Sequence, residues 1–305
     1  MDVEGLLPAD ALRPRWSSAS ALVYLGGFVV FFATSALLGL LGDDHGEWAL
    51  VGGGVLATVL ALALALWLEQ SRRAVAAGVI ALLAVLFFAV FVGSLLNVIG
   101  ILDVDVGDYQ PASLLLEASV IGAALVALRR FRAPLLVLPI ALTLWIAVAD
   151  LGSLGSWDDA AEVLSVLVGL ALIATAVAVD RAGREPYAFW LHLVGGLAFG
   201  GGVLALIEGD FGWALVGLLS LAYVGAAYLL ARSSYAVLGA IGILATTTYF
   251  TLDGFSVVST FLPFGPGVVE EGLDPWQVAL SFVLSGLVIL ALGLVGDRIT
   301  ALRRR

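Results

Sequence analysis

Ten apolar stretches, each close to the ~20 residues that cross a bilayer as a helix, follow one another along this chain and constrain its fold more than any motif does. They run 21–41, 48–68, 74–97, 111–128, 134–149, 161–179, 187–207, 211–231, 235–252 and 275–295. A backbone without water must satisfy its own N–H and C=O groups, so stretches of this kind are helices. The composition agrees: 62% of residues are hydrophobic and 12% charged, against ~25% charged in a soluble domain. The expected fold class is all-α, an integral membrane bundle of about ten transmembrane helices. Residues 1–20 are expected to form a cytoplasmic segment, 21–297 the transmembrane domain and 298–305 a basic cytoplasmic tail.

The charges give an independent reading of the same count. All fourteen basic residues are arginine, and cytoplasmic loops collect arginine. Arg13 and Arg15 precede the first stretch, Arg72 and Arg73 follow the second, and Arg129, Arg130 and Arg132 follow the fourth. Arg181 and Arg184 follow the sixth, Arg232 the eighth, and Arg298, Arg303, Arg304 and Arg305 the tenth. Every arginine thus falls on one side, and both termini with them. Sixteen acids and no base occupy the other side, seven acids accompany the arginines, and Glu117 lies inside a stretch. The net charge of −10 therefore reports topology, and nucleic acid is not an expected partner. Small residues at 33–36 could end a cleaved leader, but acids precede the first stretch and its retention is expected.

Several chemistries are excluded by what the chain lacks. Without lysine there is no Schiff-base, pyridoxal phosphate or P-loop site. Without cysteine there is no disulfide, thiolate metal centre or iron–sulfur cluster. The two histidines, His45 and His192, lie far apart in the segmentation, which argues against a bis-histidine haem. No HExxH, GxSxG or serine–histidine–aspartate arrangement is present, so neither enzyme activity nor a cofactor is expected.

The residues that could carry function are few. Glu117 is an ionisable group within an apolar stretch, where even lenient scales charge ~2.5–3.5 kcal/mol at the bilayer centre. Lying about six residues from the stretch's start, it either reaches the boundary or couples a proton or cation. His192 is expected to bond a backbone carbonyl rather than to serve a relay, and its depth separates it from Glu117. Thr246, Thr247, Thr248 and Tyr249 place hydroxyls near the midplane of the ninth stretch. Either they bond back to their own helix or they line a polar pathway, to which Pro139 could add freed carbonyls. Gly196 and Gly200 form a GxxxG, read first as helix packing, as is the triplet Gly52 to Gly54. The segment DDHGE, Asp43 to Glu47, reads as a solvated acidic loop rather than a cation site. Residues 253–275 form an apolar, proline-broken loop suited to an interfacial or re-entrant segment. The Arg130–Asp150 spacing is echoed by Arg232–Asp253, which alternation of arginine and acid explains from topology alone, with an internal repeat as the alternative.

Ten helices with both ends inside resemble the drug/metabolite transporter superfamily, and GLDPWQVALSFVLSGLVILALGLV is similar to its closing helix. That family's short outer turns and its glutamate motif in each half are not reproduced. RAPLLVLPIALTLWIAVADL and SFVLSGLVILALGLVGDR resemble polytopic prokaryotic membrane proteins of unassigned function. The resemblances imply no functional residues. The expectation is a transporter of a small solute or lipid-like molecule in a prokaryotic cytoplasmic membrane. The alternative is a membrane scaffold or regulatory subunit with a second copy or another membrane protein as partner.

Overall fold

In a computed structural model, the structure describes residues 18–102, 111–153, 159–207, 209–230 and 232–252. Among them the fold is all-α, without strands: α1 (Ser18–His45), α2 (Glu47–Gln70), α3 (Ala74–Val98), α4 (Ser113–Phe131), α5 (Val137–Ser153), α6 (Ala160–Arg181), α7 (Glu185–Leu206), α8 (Gly209–Leu230) and α9 (Ser233–Leu252). Six helices are long and apolar enough to cross a membrane, those of α2, α3, α5 with its leading turn, α6, α7 and α8. The tenth stretch, the loop at 253–275 and the basic tail lie outside the described residues.

The helices overrun the apolar stretches that mark them. α1 continues through Asp44 and His45, so the expected DDHGE loop is instead a helix end, a single left-handed Gly46 (φ 80°) and the start of α2. Among the described residues no group of three metal-ligating side chains forms there or elsewhere. α5 extends to Ser153 and takes in Asp150, α6 takes in Asp180, and α8 takes in Asp210. Pro139 falls in the first turn of α5, after a 3-10 turn at Pro134–Leu136. A first turn has no intrahelical use for that N–H, so Pro139 frees no carbonyl at mid-depth.

The described residues divide inside α7 into two compact units, one ending at Gly195 and the other starting at Gly196. In the first, α3 is the most enclosed helix. Its Val79, Ala81, Leu82 and Val85 pack with Ala65 of α2, Val120 and Ala124 of α4, and Leu135 and Leu136 of the leading turn. Leu83, Ala84 and Phe87 face the other way, onto Leu38 of α1 and Ala61 of α2. Ala141 of α5, Leu172 of α6 and Val194 of α7 form a third cluster. In lipid no water drives such faces together, so alanine and glycine at the contacts matter because they let backbones approach. The outward sides of α1, α2 and α6 stay apolar, with Leu37, Leu60 and Leu167 exposed.

Three of the helix ends follow one scheme. After α2, Arg72 N–H donates to Glu69 O and Arg73 N–H to Leu68 O. The same paired bonds close α3 at Gly100 and Ile101, and α6 at Gly183 and Arg184. This is the Schellman motif, whose key residue is left-handed and usually glycine. Gly100 (φ 70°) and Gly183 (φ 73°) conform, whereas Arg72 adopts φ 59° with a side chain. The arginine-bearing helix ends meet through an Arg130–Glu69 ion pair and a bond from the Tyr187 hydroxyl to Arg132 O (2.9 Å).

Candidate functional site

In the first unit the buried charge gathers into two clusters. Glu117, one turn into α4, is 7% exposed. The carboxylate of Asp150, one turn before the end of α5, is the charge that acts on it. Ser113 Oγ, at the start of α4, donates to Asp150 Oδ2 at 3.3 Å. Glu117 Oε2 is buried without a hydrogen-bond partner. Both carboxylates therefore sit where two adjacent antiparallel helices begin and end. Charge alternation along the sequence places Asp150 in a loop, and only the extra turn of α5 brings it inward.

The second cluster lies where α6 ends and α7 begins. His192 is 2% exposed, and its Nε2 lies 3.1 Å from Asp180 Oδ2. This histidine thus has a carboxylate partner from α6, in addition to whatever its backbone surroundings supply. Side chains lean toward the N-terminus of their own helix. α6 and α7 run antiparallel, so Asp180 near the end of one and His192 on the other lean toward one another. Glu117 and His192 are not brought together; each has its own acid.

Between the clusters α6 is nearly apolar. Trp145 of α5 donates from Nε1 to Ser165 Oγ at 3.0 Å, satisfying the indole as burial requires. From Ser165 to Asp180 the rise along α6 is roughly 22 Å at 1.5 Å per residue. On α6 in that interval Thr175 carries the polar side chain, and it bonds back to Ala171 O (2.8 Å). A proton path from one cluster to the other along α6 is therefore not laid out by these groups.

In the second unit, α8 and α9 pack through small residues. Gly217, Ser220 and Val224 of α8 face Gly239, Gly242 and Thr246 of α9. The Thr246 methyl rests on Gly217, and the Ser220 hydroxyl, which bonds back to Val216 O (2.6 Å), fills the space beside Gly242. Tyr249 donates to Asp210 Oδ1 at 3.0 Å and stacks on Trp213, with centroids 4.7 Å apart. Gly196 lies against Leu238 of α9, and the Tyr223 hydroxyl donates to its carbonyl at 3.2 Å. A methyl added at Gly200 would meet Leu219 at an ordinary 3.8 Å. The two glycines of the GxxxG thus differ: one is closely covered and the other is loosely covered.

Thr246 does not bond back to its own helix; its Oγ1 is buried without a partner. An orphaned buried hydroxyl carries a desolvation penalty of ~1–3 kcal/mol. Thr246→Val, which removes it at nearly constant shape, is expected to leave unfolding in detergent unchanged or to stabilise by up to about 1 kcal/mol. A loss larger than that, measured by thermal unfolding, shows that the hydroxyl has a partner such as pathway water. Thr247 lies on the same helix, and the side chain of Thr248 lies outside the described residues.

No family model, no curated protein and no solved structure matches the chain.

Proposed function

We propose that the chain is a multi-pass transporter of a small solute or lipid-like molecule, with ten spans and both termini on the cytoplasmic side of a prokaryotic cytoplasmic membrane. The one-sided distribution of arginine supports that orientation. The observation that carries the functional reading is the burial of Glu117 and His192, each facing an acid inside the bundle rather than lipid. Ionisable groups in spans are rare because they are costly, and those retained mark ion and substrate paths by default.

The chain contains no cysteine, so single cysteines can be introduced without background. Thr247→Cys, Glu117→Cys and His192→Cys would be labelled with membrane-impermeant thiol reagents from each side, with Asp44→Cys as the outer control and Ile241→Cys as an apolar control on α9. Labelling of Thr247→Cys but not of Ile241→Cys is the expected result, since it requires water at mid-depth. Labelling confined to Asp44→Cys overturns the transporter reading and assigns the chain to a membrane scaffold or regulatory subunit.

A further inference from the structure

We infer that the turns after α2 and α4 form a binding surface for the headgroup phosphates of anionic phospholipids, with Arg72 and Arg132 as its central contacts. Among the described residues these two are the only non-glycine residues with a left-handed backbone, at φ 59° and 52°. A side chain raises the energy of that conformation, and glycine is its usual occupant at a helix end. Gly183 serves the equivalent position after α6. Arginine at residues 72 and 132 is therefore held against backbone preference, and its side chain is not used within the fold. Both residues are exposed, and neither guanidinium has a hydrogen bond or ion pair with another described residue.

The helix packing brings the two turns together. Gly78, near the start of α3, lies so close to Ala133 that a methyl there would meet the alanine side chain at 2.6 Å. Arg130, beside Arg132, pairs with Glu69, beside the first turn. Tyr187 donates to Arg132 O at 2.9 Å, which adds the turn between α6 and α7 with its exposed Arg181 and Arg184. Arg73 and Arg129 are exposed next to the central pair. Three acids share these helix ends: Glu69 is paired with Arg130, Asp180 lies against His192, and Glu185 is the third. Positive charge is left in excess on one surface of the first unit.

The apolar side chains nearby decide which anion this surface meets. Exposed Trp67 on α2 and Val126 on α4 precede Arg72 and Arg132 by less than two turns. An exposed indole belongs at the headgroup boundary, so the guanidinium groups beyond it stand at the level of lipid phosphates. Each guanidinium presents paired N–H donors that match the oxygens of a phosphate, and arginine clusters directly beside a span attract anionic lipid. The surface does not depend on transport, since a scaffold in the same membrane would carry it equally.

Electron paramagnetic resonance of spin-labelled lipid tests the assignment, with the full-length protein in phosphatidylcholine vesicles carrying a trace of labelled phosphatidylglycerol or labelled phosphatidylcholine. The expected result is immobilisation of phosphatidylglycerol in preference by about fivefold, the scale of one arginine at a charged membrane surface. In Arg72→Gly/Arg132→Gly the preference is expected to fall toward unity. Glycine suits both backbones, so this variant is expected to unfold at or above the wild-type temperature, and its lost preference is not lost fold. Should it unfold earlier, Arg72→Gln/Arg132→Gln, which keeps a side chain at both positions, carries the same comparison. Arg303→Gly/Arg304→Gly removes equal charge from the basic tail and is expected to retain the preference. No preference in the wild type, an undiminished preference without the two turn arginines, or an equal loss in the tail variant overturns the inference. Displacement of the labelled lipid by inorganic phosphate at constant ionic strength also overturns it, in favour of a soluble anion.

Discussion

Replacing His192 by leucine is expected to destabilise the protein by about 1–3 kcal/mol, the cost of leaving a buried polar group short of a hydrogen-bond partner, and replacing Asp180 as well is expected to restore most of that loss. His192 is 2% exposed, and the Asp180 side chain is 12% exposed. Removal of the imidazole leaves an acid at the edge of an apolar helix pair with a poorer set of donors. The double variant His192→Leu/Asp180→Leu has no charge to strand, and apolar side chains of similar volume often replace a buried pair without net loss. Unfolding by denaturing detergent in mixed micelles measures the cycle. A coupling energy above about 1 kcal/mol establishes the pair as an energetic unit; additivity of the two single losses shows that the contact contributes nothing of its own.

The pair also marks the limit of what the letters reveal. Hydropathy locates nine of its ten stretches on described helices because lipid permits few other backbones. It does not place the helix ends. A window average falls where hydrocarbon gives way to charge, yet α5 runs on to Ser153 and α6 to Arg181. An acid with a partner on the next helix has no reason to leave the helix. Asp150, Asp180 and Asp210 consequently look like loop residues in the sequence, although each ends up on a helix, and Asp180 and Asp210 touch His192 and Tyr249. Which of them pair depends on the rotation of each helix about its axis, and uniformly apolar helices give no stripe from which to read it. One signal is present: Asp180 and His192 flank a tight turn at Gly183, and antiparallel side chains lean together across such a turn. Glu117 stands out as an exception to apolarity, whereas a shared motif hides the close covering of Gly196 and the loose covering of Gly200.

Glycines provide the other large expected effect, and here the structure separates residues that look alike in sequence. A methyl at Gly195 would lie 2.9 Å from Gly169 O and 3.0 Å from Ile173 N. Those are backbone atoms of α6, which cannot rotate aside as a side chain can. Gly195→Ala is therefore expected to destabilise by about 1–3 kcal/mol, the usual range for overpacking, and Gly195→Leu by more, through forced separation of α6 from α7. Gly122 on α4 is the matched control, because a methyl there meets nothing within 4 Å. Gly122→Ala is expected to be neutral or to stabilise by up to about 1 kcal/mol through helix propensity. Thermal unfolding in the same detergent ranks the three. Equal tolerance of alanine at both positions would mean that α6 and α7 stand further apart than the 2.9 Å between an added methyl and Gly169 O implies. A wedge at Gly195 also acts on the contact beside it: α6 and α7 carry Asp180 and His192, so Gly195→Leu is expected to erase the coupling energy of that pair along with the packing.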